Sequence, residues 1–200
     1  MDRYSLNRPL EPANPIIESL TPRLHLRQWQ AEDFAPFAAL NADPEVMAYF
    51  PKPLSRQESD VIATRCQHEI AAQGWGFWAL ELRESGEFIG FTGLHRPSSL
   101  LPFAPCVEIG WRLARRFWGQ GLATEAARAA LDVGFNRLQL DEIVSFATAG
   151  NLRSQKVMQR LGMRERPDEA FEHPAIEAGH PLRAHCLYRL NRETFNASAH

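Results

Sequence analysis

The sequence predicts a single α/β (α+β) domain built on a mixed, mostly antiparallel sheet with flanking helices, and three stretches indicate this fold class. Residues 74–94 hold two aromatic-rich runs separated by Glu84-Ser85-Gly86, which is the pattern of an antiparallel hairpin. Residues 106–147 alternate strand, helix and strand, and a helical connection makes those two strands parallel. Residues 163–190 add two final strands around a polar linker, which indicates another antiparallel pair.

The predicted elements cover nearly the whole chain. Residues 1–19 hold three prolines and no periodicity, so we expect a flexible arm before a folded domain at 20–195. Seven strands are expected, at 20–29, 74–82, 88–94, 106–113, 142–147, 163–172 and 182–190. Helices are expected at 31–42, 55–73, 122–138 and 151–161.

Buried faces and capping residues support the helices. Phe34, Phe37 and Leu40 recur at helical spacing and define one apolar face of the first helix. Ser55 and Glu58 match a capping box, in which each residue satisfies a backbone amide of the other, so they mark the start of the second helix.

The most informative stretch joins the fourth predicted strand to the third helix. Residues 107–113 alternate apolar and other residues, as in a half-buried strand, and strong helix formers follow from Leu122. Between them, Gly119 and Gly121 let the backbone turn sharply beside two arginines. The free N–H groups and dipole of a helix N-terminus favour an anion, so the stretch predicts a phosphate or pyrophosphate site. The alternative is a tight turn with solvated arginines.

Composition narrows the function classes. The net charge of −2 argues against a nucleic-acid-binding surface, and no apolar run is long enough to span a membrane. The three cysteines form no C-x-x-C pair, which favours a reducing, cytoplasmic location over a disulfide framework. His173, His180 and His185 match no common ligand spacing, so no metal site is expected.

Two motifs carry a family resemblance. Arg116-Phe117-Trp118-Gly119-Gln120-Gly121-Leu122-Ala123 resembles the Q/R-x-x-G-x-G/A signature of the GNAT superfamily of N-acetyltransferases. Downstream, Asn151-x-x-Ser154-x-x-Val157 followed by Leu161-Gly162-Met163 is similar to the branch that contains the ribosomal-protein N-terminal (alanine/serine) acetyltransferases. The resemblance covers roughly residues 20 to 190.

The resemblance implies a coenzyme site. It implies a seven-stranded GNAT sheet in which the fourth and fifth strands splay apart and admit the pantetheine arm of acetyl-CoA, a co-substrate. Backbone groups of residues 111–113 would bind that arm, residues 116–121 would bind the pyrophosphate, and Asn151, which also caps its helix, and Ser154 would add contacts. The implied coenzyme-binding residues are Trp111, Arg112, Leu113, Arg116, Phe117, Trp118, Gly119, Gln120, Gly121, Leu122, Ala123, Asn151 and Ser154.

The catalytic groups are expected on the central and last strands. Glu108 resembles the glutamate that many family members use as a base, and its alternation with Val107 and Ile109 would point it into the acceptor cleft; alternatively it pairs with an arginine on the sheet surface. Many members have a tyrosine, the acid toward the leaving thiolate, where this chain has Met158. Tyr188 or water would then protonate the thiolate.

The favoured reading is an acetyl-CoA-dependent N-acetyltransferase acting on a primary amine, either a protein N-terminus or a small molecule. The alternative is a non-catalytic acyl-CoA-binding module; nucleoside triphosphate binding is disfavoured because no Lys-Ser/Thr follows Gly121. The acceptor depends on loops at 43–54, where Tyr49 and Phe50 either line the acceptor site or simply pack, and at 170–182. A homodimer through the last strands is expected by family analogy.

Overall fold

The computed structural model describes residues 15–197, so residues 1–14 of the predicted arm lie outside the described part of the chain. The remaining residues of the arm, 15–19, contact the domain through hydrogen bonds. The Ile17 amide donates to the Gly74 carbonyl at 2.8 Å, and the Ile17 carbonyl accepts a hydrogen bond from Trp78 Nε1 at 2.7 Å. Strand pairing then begins at Ser19.

One mixed sheet forms the centre of the molecule, which confirms the predicted fold class. Its strands are β1 Ser19–Leu20, β2 Leu24–Arg27, β3 Phe77–Leu82, β4 Phe88–His95, β5 Glu108–Leu113, β6 Glu142–Thr148, β7 Arg164–Glu165, β8 Phe171–Glu172 and β9 Ala184–Asn191. The strand order is β1-β2-β3-β4-β5-β6-β9-β7, and β8 also pairs with β9. Within this sheet only the β5–β6 pair is parallel.

The described sheet has nine strands, so the expectation of seven was wrong at two places. The first predicted strand is split by a turn, in which the Thr21 hydroxyl accepts from the Leu24 amide at 2.9 Å. The sixth is split because Pro167 has no amide hydrogen for a ladder and begins a short 3₁₀ helix, Pro167–Glu169.

Helices cover both faces of the sheet. They are α1 Phe34–Ala42, which follows a 3₁₀ turn at Ala31–Asp33, α2 Arg56–Gln73, α3 Leu122–Asp132, which continues as a π-helical turn over Val133–Arg137, α4 Leu152–Arg160 and α5 Arg192–Ala197. The capping box of α2 is present. Helix α5 was not predicted; its Phe195 packs on Phe135 with ring centroids 5.1 Å apart.

The strand alternation shows which helices lie on which face. His95 of β4 lies beside Glu69 of α2, with 3.5 Å between Nδ1 and Oε2. The next residue back, Leu94, points the other way, toward Gly134 in the turn after α3. Helix α2 therefore covers one face of the sheet and the α3 segment covers the other. No helix within residues 15–197 has the length and apolarity needed to cross a membrane.

Candidate coenzyme and active site

The parallel strands β5 and β6 touch only at one end. The Val144 amide donates to the Val107 carbonyl at 3.0 Å, and the Ser145 hydroxyl donates to the Ile109 carbonyl at 3.0 Å. Beyond this point β5 continues with β4, whereas β6 continues with β9 to Thr148. The two strands therefore diverge, as the predicted splay of the fourth and fifth strands requires.

A cavity of about 330 Å³ lies at this divergence. It is bounded by the end of β5, the starts of α3 and α4, and the loop before α2. Its lining residues are Glu45, Val46, Tyr49, Phe50, Trp111, Arg112, Leu113, Phe117, Trp118, Gly119, Gly121, Leu122, Ala123, Thr124, Asn151, Arg153, Ser154, Lys156, Val157 and Arg160. The structure thus brings together most of the residues predicted to bind the coenzyme; Arg116 and Gln120 lie outside this lining.

The turn before α3 opens its helix N-terminus toward the cavity. Gly119 and Gly121 have φ of 76° and 79°, a left-handed conformation that favours glycine. Gly121 is the N-cap and provides no side chain to cap the helix. The amides of Leu122, Ala123 and Thr124 belong to the first turn, where no helical partner exists, so they remain available to a bound anion.

Strand alternation determines which of residues 111–113 turn their backbone groups toward the opening. The carbonyls of Val107 and Ile109 face β6, so Trp111 and Leu113 also turn their backbone groups toward the opening. The Leu113 carbonyl already accepts a hydrogen bond from Trp118 Nε1 at 2.9 Å. Arg112 lies between these two residues, so its backbone groups turn the other way, toward β4. Its side chain, rather than its backbone, therefore reaches the cavity.

The side chain of Arg116 points away from the cavity. Its guanidinium pairs with Glu87 and stacks on Phe117, 4.8 Å from the ring centroid. Gln120 donates through Nε2 to the Arg116 carbonyl at 3.0 Å. Both side chains therefore shape the turn, and the prediction that these residues form part of the anion site applies at most to their backbone.

Sequence reasoning missed the hydrogen bonds that hold the same turn from the side of Arg23, here called the clamp from Arg23 to Glu125. Arg23 donates through Nη1 to the Gln120 carbonyl at 2.9 Å and through Nε to Glu125 Oε2 at 2.6 Å. Glu125 also accepts from the Thr21 hydroxyl at 2.6 Å, and these hydrogen bonds contribute to lowering the pKa of its carboxyl. The partners lie far apart in sequence, and the only local signal is an acidic residue in the first turn of a helix.

Helix α4 adds a cap at its start and three cations along one face. Asn151 Oδ1 accepts from the Ser154 amide at 3.2 Å, as predicted for an N-cap. Arg153, Lys156 and Arg160 all line the cavity, and none has a carboxylate partner among residues 15–197. Sequence reasoning also missed these cations, although their spacing of three and four residues places them on one helix face.

The loop before α2 forms the opposite wall of the cavity. The Tyr49 carbonyl accepts from the Thr148 hydroxyl at 3.4 Å, which holds the loop near the end of β6. Phe50 lies over the Arg112 guanidinium, 4.1 Å from ring centroid to Cζ. Both aromatic residues face the cavity as well as packing.

Glu108 lies at the paired end of β5 and outside the cavity lining. Its neighbours Val107 and Ile109 are buried in the core, so by alternation Glu108 shares a face with Gly110 and Arg112, toward α2. The side chain is half-buried, and no ion-pair or hydrogen-bond partner for its carboxylate occurs in the described residues. The expected alternative of a surface pair with arginine is therefore not seen in that part of the chain. Burial raises the pKa of Glu108 to about 8.

The structure does not bring Tyr188 to the cavity. The ring is 1% exposed, and its hydroxyl donates to Glu165 Oε2 at 3.2 Å and accepts from Gln159 Nε2 at 3.4 Å. Burial raises the pKa of this phenol. Met158, at the usual tyrosine position, is buried in the core. Neither side chain is placed to protonate a group in the cavity.

The histidines of the last strands join an aromatic cluster. The rings of His173 and His185 lie 5.0 Å apart and pack with Phe146 and Phe171. Burial lowers the pKa of both histidines. Within the described residues, no group of three or more His, Cys, Asp or Glu side chains is placed to hold a metal ion.

Comparison with known proteins agrees with this geometry. The chain is 34% identical over 151 residues to the uncharacterized protein YkkB of Bacillus subtilis, which covers 75% of this chain and 87% of YkkB. A GNAT acetyltransferase structure from Bacillus anthracis superposes with a TM-score of 0.73 at 22% identity, covering 88% of this chain and 99% of that one. Mycobacterium smegmatis RimJ, solved in complex with CoA-disulfide, gives a TM-score of 0.66 at 22% identity, covering 85% and 82%.

The family itself follows from a sequence profile rather than from these fold likenesses. The profile of the acetyltransferase (GNAT) domain family matches residues 23–164. This range includes the divergent strands β5 and β6, the glycine turn before α3, and all of α4. Within this family, the chain is 32% identical over 80 residues to the putative ribosomal N-acetyltransferase YdaF of Bacillus subtilis, which covers 40% of this chain and 42% of YdaF. This chain belongs to the acetyltransferase (GNAT) family and is an acyltransferase.

Proposed function

We propose that the protein transfers the acetyl group of acetyl-CoA to the nitrogen of a primary amine, and that the amine is of the α-amino type. One observation carries the proposal: an uncapped helix N-terminus opens into a cavity at the place where two strands of the sheet separate. A diphosphate needs the first feature, and a long pantetheine arm needs the second.

The charges around the cavity support the coenzyme part of the proposal. The first-turn amides of α3 suit a diphosphate, and Arg153, Lys156 and Arg160 supply three positive charges on the neighbouring helix. The free backbone groups of Trp111 suit the amides of a pantetheine arm, which would extend the sheet by one strand.

Glu108 supports the amine part. The acceptor nitrogen must lose a proton before it attacks the thioester carbon, and an efficient general base has a pKa near the operating pH. The pKa of Glu108 is about 8. The pKa of an α-amine is also about 8, whereas that of a lysine amine is about 10.4. At neutral pH an α-amine is already partly deprotonated, whereas a lysine amine is almost fully protonated, so a single carboxylate base suits an α-amine better than a lysine side chain.

The leaving group needs little help. When the C–N bond has formed and the C–S bond breaks, the thiolate of the coenzyme leaves with a pKa near the cysteine value of about 8.5. Water can protonate such a group at neutral pH, so the buried positions of Tyr188 and Met158 are compatible with turnover. We therefore leave Tyr188 out of the proposed mechanism.

A direct assay tests the proposal. Purified protein with acetyl-CoA should release free thiol when α-amines such as short peptides are added, and release it more slowly with Nα-blocked lysine. Binding of acetyl-CoA without thiol release across both amine classes would favour the non-catalytic alternative. A rise in melting temperature with ATP but not with acetyl-CoA would instead contradict the coenzyme site.

Asn151→Ala is expected to weaken both α4 and the coenzyme complex. The variant loses the cap on the Ser154 amide, worth about 1 kcal/mol, and loses a polar group from the cavity wall. Thermal melting and the dissociation constant for CoA check the two effects separately. Asn151→Asp is the matched control for the cap, because aspartate also caps helices. If only the melting temperature of Asn151→Ala falls, Asn151 is a cap and nothing more.

A further inference from the structure

The guanidinium of Arg112 is held on the wall of the cavity by neutral groups. Its Nη1 donates to Asn41 Oδ1 at 2.6 Å, and Asn41 in turn donates through Nδ2 to the Ser59 hydroxyl at 2.9 Å. The rings of Phe50 and Phe91 lie 4.1 and 5.5 Å from its Cζ. These contacts fix the orientation of the group without neutralising its charge.

The Nε–Nη2 side of this guanidinium has no partner among residues 15–197. Its Nε is buried without a hydrogen bond, and no contact of Nη2 is found in the described part of the chain. Arg189 shows what this side can do, because it binds Glu169 in a bidentate manner through Nε at 2.8 Å and Nη2 at 2.6 Å. Arg27, which is 5% exposed, pairs with both Asp33 and Glu81.

Arg112 is partly buried and its Nε is fully buried, so its charge is partly removed from water, which is energetically unfavourable without a counter-ion. Burial lowers the pKa of Arg112 to about 10, and no carboxylate among its neighbours opposes that shift. Arg27 and Arg189 each pair with carboxylates of the chain, whereas Arg112 has a buried Nε without a hydrogen bond, so a ligand anion would satisfy it.

We propose that Arg112 binds a carboxylate of the acceptor, so that the substrates are amines that also carry a carboxylate. This inference rests on the proposed acetyl transfer. It names the acceptor rather than the coenzyme because Arg112 lies on the same strand face as Glu108, the proposed base. The phosphates of the coenzyme have their own donors at the starts of α3 and α4.

The strand geometry also sets the spacing within the acceptor. Four residues of a strand span about 13 Å between the Cα atoms of Glu108 and Arg112. Both side chains leave the sheet on the same face, so an amine at Glu108 and a carboxylate at Arg112 must be separated by several bonds. A short peptide with a free C-terminus meets this requirement, whereas a single α-amino acid such as glycine does not.

Paired acceptors test the inference. Glycylglycine and glycylglycylglycine are compared with their C-terminal amides, using thiol release from acetyl-CoA. A bidentate charged contact is worth roughly a 10- to 100-fold preference in kcat/KM for the acid over the amide. In Arg112→Gln, which can still donate to Asn41, this preference should fall to about onefold. Arg112→Lys retains the charge but not the fork, so an intermediate preference is expected.

The readouts separate the inference from its alternatives. Arg56→Gln, which removes an exposed arginine of α2, is the control and should keep the acid preference. Equal rates with acids and amides in the wild-type protein would overturn the inference while leaving acetyl transfer intact. A rise in the KM for acetyl-CoA, rather than for the peptide, in Arg112→Gln would assign Arg112 to the coenzyme and would also overturn it.

A binding measurement covers the case in which none of these peptides is acetylated. In the presence of CoA, glycylglycine should raise the melting temperature of the wild-type protein more than its amide does, and the difference should vanish in Arg112→Gln. Equal shifts with acid and amide would overturn the inference. The melting temperature of Arg112→Gln without ligand should stay close to that of the wild type, because glutamine can still donate to Asn41 and the substitution removes a charge that has no counter-ion among residues 15–197.

Discussion

Glu108→Gln is expected to lower turnover by roughly 10²- to 10⁴-fold, the range for removal of a general base. Glutamine keeps the shape of the side chain but cannot accept a proton from the ammonium group of the acceptor. Affinity for acetyl-CoA should hardly change, because Glu108 lies outside the lining of the cavity. Steady-state kinetics and direct titration with CoA measure the two quantities separately.

The pH dependence gives a second readout for the same variant. Burial raises the pKa of Glu108 to about 8, so the group is mostly protonated at neutral pH and becomes an active base as the pH rises. In the wild-type protein kcat/KM should therefore increase up to about pH 8, as both Glu108 and the α-amine of the acceptor lose a proton, and this rising limb should be less steep in Glu108→Gln, where only the amine titrates. Glu84→Gln, in the exposed hairpin turn, is the control and should keep both the limb and the rate. Full activity in Glu108→Gln would remove Glu108 as the base.

Glu108→Gln, which should lower turnover, should raise the stability of the protein at alkaline pH. The pKa of an unfolded glutamate is about 4.3, well below that of Glu108 in the folded chain. Between these values the folded state binds more protons than the unfolded state, so this group's contribution to stability falls as the pH rises from about 4.3 to about 8. Glu108→Gln removes that loss. The melting temperature of Glu108→Gln minus that of the wild type should therefore be larger at pH 8 than at pH 5. The same difference at both pH values would contradict the raised pKa of Glu108.

Gly121→Glu is expected to weaken CoA binding by at least about a hundredfold. The substitution places a carboxylate at the N-cap of α3, where the amides that would bind a diphosphate begin. It also forces a side chain into a backbone with φ of 79° and brings a new anion within reach of Arg23, whose Nη2 lies 3.6 Å from the position of the added Cβ. Isothermal titration with CoA measures the loss.

Gly179→Glu is the matched control for backbone strain and added charge. Gly179 has φ of 82°, nothing within 4 Å of an added Cβ, and a place in the loop before β9, away from the coenzyme cavity. Both variants should lose stability through strain, on the order of 1–2 kcal/mol, but only Gly121→Glu should lose CoA binding. Wild-type affinity in Gly121→Glu would refute the placement of the diphosphate.

Local patterns in the sequence were sufficient for most of the fold. The period of two in β5, the capping box at Ser55 and the cap at Asn151 each depend on residues close together in the chain, and each is present in the structure. The split of the first strand was missed because alternation at Leu24 and Leu26 was extended across a turn held by one hydroxyl.

The directions of the site's side chains depended on distant residues. Arg116 was expected at the pyrophosphate, but Glu87, immediately before β4, pairs with its guanidinium and holds it away from the cavity. The direction of the Arg112 side chain could have been derived from strand alternation, because Arg112 is four residues from Glu108 and the two side chains must lie on the same face of the sheet. By contrast, the lack of a counter-ion at Arg112 depends on α1, α2 and β4 together, and no local pattern reveals it.

The clamp from Arg23 to Glu125 joins residues 102 positions apart, and it has a consequence for synthesis of the protein. Helix α4, which completes the cavity, lies further still toward the C-terminus. Contacts of such long range form only after the loops between them have closed, which slows folding. A growing chain therefore has no complete coenzyme cavity until α4 has emerged from the ribosome, so CoA can act as a ligand that stabilises the finished domain but not as a template for its early folding.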